Sequence, residues 1–418
     1  MKLCYQYILY STVLGVFSSA LVFHVGVGFQ VFYLVMLFNL FLMLLLKRLW
    51  APLPLLFFFA FIGLSGSIGV LRGTDTYGRF LKELLGIGVS AFYFCSFFRT
   101  MQFDLEGCFR IYARTAYWVA IVGIVLFPIE RSLSADYRLR SILTEPSMFV
   151  LTCIPALYFY CDQWQRYRRF RREALVMFGA FVLAGSSNGF LGILLGIAIF
   201  SMRYRRARIL LPVVVVLSGL AIYSFSDDFE LRLNDSVRAL QLVDITGTNL
   251  STFALLSNLF VMEQVLQKHP LLGNGLGSHG VSYRRYIGDV QGADSFEDPA
   301  YESINAEDAN SLATRLLSDM GILGGILAVW FIWRYRPKGD TEVDGMSKAI
   351  WLYLFIKLLR GGHYFSNEQY FFIIFYALGN TVARPRLKPN GDTLSIYRPP
   401  SAKSRPLQID RDASYGVG

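Results

Sequence analysis

The chain has 418 residues, 54% of them hydrophobic and only 17% charged, with a mean hydropathy of +0.43 and a net charge of +10. A soluble domain carries near a quarter charged residues, so this composition excludes an ordinary water-soluble protein and points to a bilayer. Five scattered cysteines (Cys4, Cys95, Cys108, Cys153 and Cys161) lack metal-ligand spacing and read as reduced residues in or beside apolar runs.

A hydrocarbon core about 30 Å thick takes roughly 20 apolar residues per helix. Apolar runs fall at about residues 5–23, 29–46, 52–71, 81–98, 111–129 and 146–161. Others fall at about 174–185, 188–202, 209–225, 313–333, 349–362 and 368–383. The first run continues into others, which is unlike a cleavable signal peptide. The fold class expected is all-α and polytopic, with about 12 transmembrane helices. The stretch 174–202 reads as two short helices turned around Gly185-Ser-Ser-Asn-Gly189, because the basic segments Arg166–Arg172 and Arg203–Arg208 flank both ends. Irregular backbone at that depth has to be buried in protein or line a wet cavity.

These runs divide the chain into four parts: an N-terminal transmembrane bundle of about nine helices (1–225), a large loop (226–312), C-terminal transmembrane helices (313–383) and a basic tail (384–418). With Met1 inside, Lys47-Arg48, both arginine clusters, Arg334/Arg336/Lys338 and the tail all fall on the cytoplasmic side, as the positive-inside rule requires. The tail, rich in Pro, Ser and charge, reads as disordered, and its basic bias as a topology and lipid-headgroup feature, not a nucleic-acid site. The large loop holds 13 Asp/Glu against 5 Lys/Arg, a net of −8, and so falls outside. Within it Ser251–Lys268 places Phe253, Leu256, Leu259, Phe260 and Leu266 at amphipathic-helix spacing, with Pro270 after its end. That helix is expected on the membrane surface or across the mouth of a cavity.

Ionisable residues near bilayer depth are costly and mark functional candidates. Arg72 and Arg79, beside Lys82 and Glu83, are either interfacial anchors or ligands for an anion. Arg138 and Arg140 precede Glu145-Pro-Ser147, where Thr144 or Glu145 suits a helix cap; a guanidinium pair there suits bidentate binding of phosphate or pyrophosphate. His269-Pro-Leu-Leu-Gly-Asn-Gly-Leu-Gly277 is a weak phosphate-loop signal, followed by the paired Arg284 and Arg285. Glu307-Asp308-Ala-Asn310 precedes a helix that Asp308 or Asn310 could cap. Arg360-Gly-Gly-His363, with Glu368 beyond, offers His363 as a general base.

Taken in order, these motifs resemble the O-antigen ligase and polymerase superfamily of bacterial envelope glycan enzymes. The resemblance spans about residues 130 to 325: Arg140 ahead of Glu145-Pro-Ser147, short helices around Ser186-Ser187-Asn188, then a long outer loop with Arg232 and Arg238. The HPLLGNGLG segment, Asn310 and Ser318-Asp-Met-Gly-Ile-Leu-Gly324 follow. The resemblance implies a glycosyltransferase similar to the lipid-donor (GT-C-like) enzymes. Such an enzyme moves a glycan from undecaprenyl pyrophosphate to an acceptor sugar at the periplasmic face of the inner membrane, without cofactor or metal. It implies a lipid-linked oligosaccharide as substrate, membrane lipids around it, and a chain-length regulator and a flippase as pathway partners. Ligases of the family commonly carry a histidine where this chain has Ala309 and an arginine where it has Asn188, which favours a repeat-unit polymerase making O-antigen or exopolysaccharide.

On this reading the catalytic candidates are Asp308, Glu145 and His363, with Asp308 nearest to the place of the base. The candidates for binding pyrophosphate or anionic sugar are Arg72, Arg79, Arg138, Arg140, Arg238, Arg284, Arg285, Asn310 and Arg360. Two alternatives stay open: a ligase that transfers finished glycan to the lipid A core, and a flippase or transporter, which commonly shows internal repeats absent from this sequence.

Overall fold

A computed structural model describes residues 2–25, 27–133, 138–201, 250–289 and 305–382. The expected helix at 209–225, the cluster Arg203–Arg208, Arg232, Arg238 and the tail 384–418 lie outside the described residues.

The described chain is helical, as its apolar runs dictate. In order these helices are α1 (Lys2–Val16), α2 (Val31–Leu45), α3 (Leu53–Leu71), α4 (Tyr77–Thr100), α5 (Leu105–Leu133), α6 (Pro146–Tyr167), α7 (Arg171–Ala184) and α8 (Ser187–Ser201). Next among the described residues come α9 (Leu250–Lys268), α10 (His279–Tyr286), α11 (Leu312–Arg334), α12 (Glu342–Leu359) and α13 (Gln369–Val382). Four of them, α3, α4, α5 and α11, are long and apolar enough to cross a membrane. Their lipid-type exterior is apolar too, with Leu56, Phe57, Leu64, Val125, Val329 and Trp333 exposed. Apolar helices with an apolar outside mark a membrane protein.

One segment differs from the sequence reading. The runs at 5–23 and 29–46 do not stay helical between α1 and α2; Val22–Val25 and Val27–Gln30 pair as a short antiparallel hairpin. Valines at 22, 25 and 27, interrupted by glycines, favour extended backbone over helix. The pair of short helices at 174–202 is present: α7 ends at Gly185, whose φ of +53° is left-handed, and α8 starts at Ser187.

The helices run up and down so that one end gathers basic residues. There Arg110 of α5 pairs with Glu342 of α12 (2.8 Å), Arg166 of α6 reaches Asp340, and Arg99 of α4 donates to Leu49 O. At the other end Ser19 meets Thr144 (3.4 Å), Asn367 donates to Gly15 O, and Leu139 N donates to Leu183 O. Between the ends, rings from α4, α5 and α13 interlock: Phe98 lies 5.5 Å from Phe371, Phe109 lies 5.4 Å from Phe375, and Tyr112 lies 5.2 Å from Phe372. The five cysteines are free thiols in or beside this packing.

Candidate functional site

The site is built at the end of the bundle opposite the basic residues, and a glycine-rich wedge builds it. His269–Gly277 inserts between α3 and a break in α11 at Gly321, whose φ/ψ of 63°/−163° is not helical. The break frees backbone groups that the wedge takes up. Asn274 N donates to Ser318 O, Gly275 N to Asp319 O, Ile322 N to Pro270 O and Leu323 N to Leu271 O. Gly275 is required by space as well as by its φ of +102°, because a Cβ there would come 2.7 Å from Gly69 Cα.

The wedge closes around a carboxylate of the chain itself. The carboxylate of Asp319, wholly buried, accepts from Gly277 N (3.1 Å), His279 N (2.8 Å), Ser278 Oγ (3.3 Å) and Tyr364 OH (3.1 Å). The anion-binding turn expected from the sequence is thus satisfied from within the protein. His279 Nε2 in turn lies 2.7 Å from Asn258 Oδ1 of α9. This sets the buried face of α9, which is Phe253, Ala254, Ser257, Asn258, Val261 and Val265, while Leu259 stays exposed. The helix exists as expected but packs on α10 and α11 through partly polar contacts, because His279 and Tyr283 need partners there. Burial pushes the His279 imidazole down to about 3, so it is neutral.

Beside the wedge, Arg315 of α11 is the hub. Its guanidinium pairs with Glu83 of α4 (3.0 Å) and lies 3.7 Å from Asp319. It also donates to Gly362 O (3.1 Å) and stacks 4.2 Å over the Tyr364 ring. Arginine's planar fork makes this division among partners feasible. The same loop is held from α12 and α13, where buried Lys357 donates to Ser366 Oγ (2.5 Å) and lies 3.6 Å from Glu368.

Against this frame the 305–311 turn presents two of the expected residues together. His363 Nε2 donates to Asp308 Oδ2 at 3.0 Å. The approach depends on Gly362, where a Cβ would fall 1.4 Å from Asp308 O, and on the bond from Gly361 N to Asn310 O (3.0 Å). Ala309 and Asn310 carry φ of +57° and +55°, a strained pair of non-glycine residues of the kind found at functional sites. The cap of α11 is Ser311, not Asp308 or Asn310: its Oγ accepts from Thr314 N (3.3 Å). Burial alone would raise the Asp308 carboxyl, but the His363 bond and charge outweigh it and hold it below the usual carboxylate range. With Nε2 turned to Asp308, Nδ1 is the ring nitrogen left for another partner, and the side chain is 48% exposed.

Arg79 and Arg284 also come together, on Glu307. Arg79 Nη2 lies 2.6 Å and Arg284 Nη1 3.1 Å from the same oxygen, Glu307 Oε1. Burial would raise this carboxyl; the two guanidiniums prevail and hold it low. Asp75, in the turn before α4, is pushed up to about 6 by burial, only partly offset by the Thr76 amide and Arg79.

The other expected residues stand apart from this group. Arg72 ends α3 close enough to His269 to help burial lower that imidazole. Arg138 and Arg140 ride on a loop docked against α5 and α7: Arg138 packs beside Gly185, and Arg140 donates to Thr144 O (3.4 Å). Glu145 is the residue before α6, but it makes no side-chain cap and accepts from Ser147 Oγ (3.0 Å) instead. Arg285 is exposed on α10, and Arg360 ends α12. The sequence reading missed Arg315, Asp319 and Lys357. The signal available was Arg315 and Asp319 at i,i+4 inside an apolar helix, an expensive placement unless the charges are paired.

No protein-family model matches the chain, and no curated protein matches it either.

Proposed function

We propose that the protein is a polymerase of undecaprenyl-pyrophosphate-linked oligosaccharide repeat units, acting at the periplasmic face of a bacterial inner membrane. The observation that carries this reading is the Asp308–His363 pair together with two arginines that share Glu307, the residue before Asp308, at the end of an apolar bundle opposite Arg99, Arg110 and Arg166. The positive-inside rule puts the opposite end, with Arg99, Arg110, Arg166 and Lys348, in the cytoplasm together with both termini. About 12 crossings of the lipid-donor (GT-C-like) kind follow if the shorter helices also span.

In this mechanism Asp308 orients His363 and stabilises its imidazolium, as the acid of a catalytic triad does. His363 Nδ1 takes the proton from the acceptor sugar hydroxyl as its oxygen attacks the anomeric carbon of the donor. The bond between that carbon and the pyrophosphate oxygen breaks, and undecaprenyl pyrophosphate leaves with the electron pair. Arg79 and Arg284 stabilise the charge that develops on the leaving group. The absence of a histidine at Ala309 supports polymerase over ligase.

The test is genetic. Deletion in a strain that makes a polymer through lipid-linked units should leave single repeat units on the acceptor, and plasmid-borne wild type should restore long chains. Loss of all glycan from the core would point to a ligase, and an unchanged polymer would refute the reading.

A further inference from the structure

Glu307 fills the space between Arg79 and Arg284 poorly. Both guanidiniums converge on Oε1, while Oε2 faces Gly280, where a Cβ would lie 2.7 Å away. Arg79 Nη1 is buried and has no hydrogen-bond partner among the described residues. One carboxylate oxygen therefore serves two forks and leaves a buried donor unspent, a situation that costs free energy. The Glu307 side chain is itself 61% exposed, so it can swing away without disturbing the core. Gly280, lacking a side chain, makes the room that the Glu307 carboxylate now fills.

We infer that Glu307 is an internal stand-in for an anion, occupying a two-arginine site from which a phosphoryl group displaces it. A phosphoryl group offers several oxygens in the tetrahedral arrangement that two guanidinium forks match, and so can use the donor that Glu307 leaves idle. The acid keeps the arginines aligned and neutralised while the site is empty, and it prevents weaker monoanions from settling there. Rim ion pairs of this exposure are individually weak, so displacement is within reach of a multivalent ligand. Asp75 is a second carboxyl within electrostatic reach of Arg79 and opposes the same ligand. The inference deepens the proposed function, because the pyrophosphate of a lipid-linked donor is one such ligand; an anionic phospholipid headgroup is the other source of the same chemistry.

The experiment titrates full-length protein in phosphatidylcholine nanodiscs with inorganic pyrophosphate and reads binding by calorimetry. Glu307→Gln keeps the size of the side chain and removes its charge, and should bind pyrophosphate about fivefold tighter than wild type. Arg284→Ala, at an exposed position, should weaken binding in both backgrounds. If Glu307→Gln binds no tighter than wild type while melting normally, or if neither binds, the inference is wrong. Repeating the titration with phosphatidylglycerol in the disc identifies the source: a fall in apparent affinity places a headgroup in the site, and no change leaves the lipid-linked pyrophosphate. The assay involves no sugar transfer, so binding without polymerisation would overturn the proposed function and spare this inference.

Discussion

Asp308 and His363 come from opposite sides of the α11–α12 hairpin, yet His363 Nε2 lies 3.0 Å from Asp308 Oδ2. The carboxylate is mostly enclosed and the imidazole is half exposed. That asymmetry suits the two residues to different work in the proposed mechanism, the acid orienting and the exposed ring taking the proton.

The first prediction follows from this division. Asp308→Asn keeps the shape but reverses the preferred ring proton, so the rate of polymer formation should fall about a hundredfold or more with little loss of folded protein. His363→Ala should cost as much, and the double variant little more than either alone, because the two act as one unit. Additive losses in a rate assay would contradict the pairing.

Arg315 carries a prediction about stability. Removing its charge takes the cation from buried Glu83 and from the nearby Asp319 carboxylate, a loss that costs about 3–5 kcal/mol when a buried pair is broken. Arg315→Met should therefore lower the midpoint of thermal unfolding in detergent sharply. The pair Arg315→Met with Glu83→Leu should recover part of it. Equal melting of Arg315→Met and wild type would show that the hub is idle.

The pH dependence has two parts of opposite sign. His279 is held at about 3 in the fold against an ordinary 6.5, so its neutral form stabilises above pH 6.5 and that contribution is lost as pH falls toward 3. Asp75 is held at about 6 against 3.8, so its contribution is full below 3.8 and is lost as pH rises through 6. Asp75→Asn should consequently raise stability above pH 6, by on the order of 2 kcal/mol, and change little near pH 4. His279→Gln should flatten the acid limb. Melting curves from pH 4 to 8 read both slopes.

Close approach at two glycines gives a ranked pair of outcomes. Gly362→Ala would push a methyl into Asp308 O and separate the dyad, so activity should vanish even in whatever fraction still folds. Gly275→Ala forces a left-handed residue against Gly69, and should lower the yield of folded protein with normal activity in the remainder. If Gly362→Ala is active, the turn does not position the acid.

Much of the helical layout was legible in the sequence, since hydropathy marks buried or lipid-facing helices directly. The break at Gly185, the helix at 250–268, the 307–310 turn and His363 were readable as separate signals. The pairing itself was not. Nothing local to Asp308 points to His363, because their meeting depends on a bare backbone contact at Gly362 and on Arg315 reaching Gly362 O. The wedge misled for a related reason. Three glycines close together look like a phosphate loop, and only the fold reveals that the amides of Asn274, Gly275 and Gly277 are spent on Ser318 O, Asp319 O and the Asp319 carboxylate. The hairpin at 22–30 was hidden because valine serves a lipid-facing helix and a strand equally well.

The most direct test of the central claim is polymerisation by the purified protein in liposomes supplied with undecaprenyl-pyrophosphate-linked repeat units. Wild type should convert single units into a ladder of longer lipid-linked chains and release undecaprenyl pyrophosphate, with Asp308→Asn leaving the single units intact. A wild-type reaction with no ladder and no released pyrophosphate, under conditions where the folded protein is verified, would contradict it.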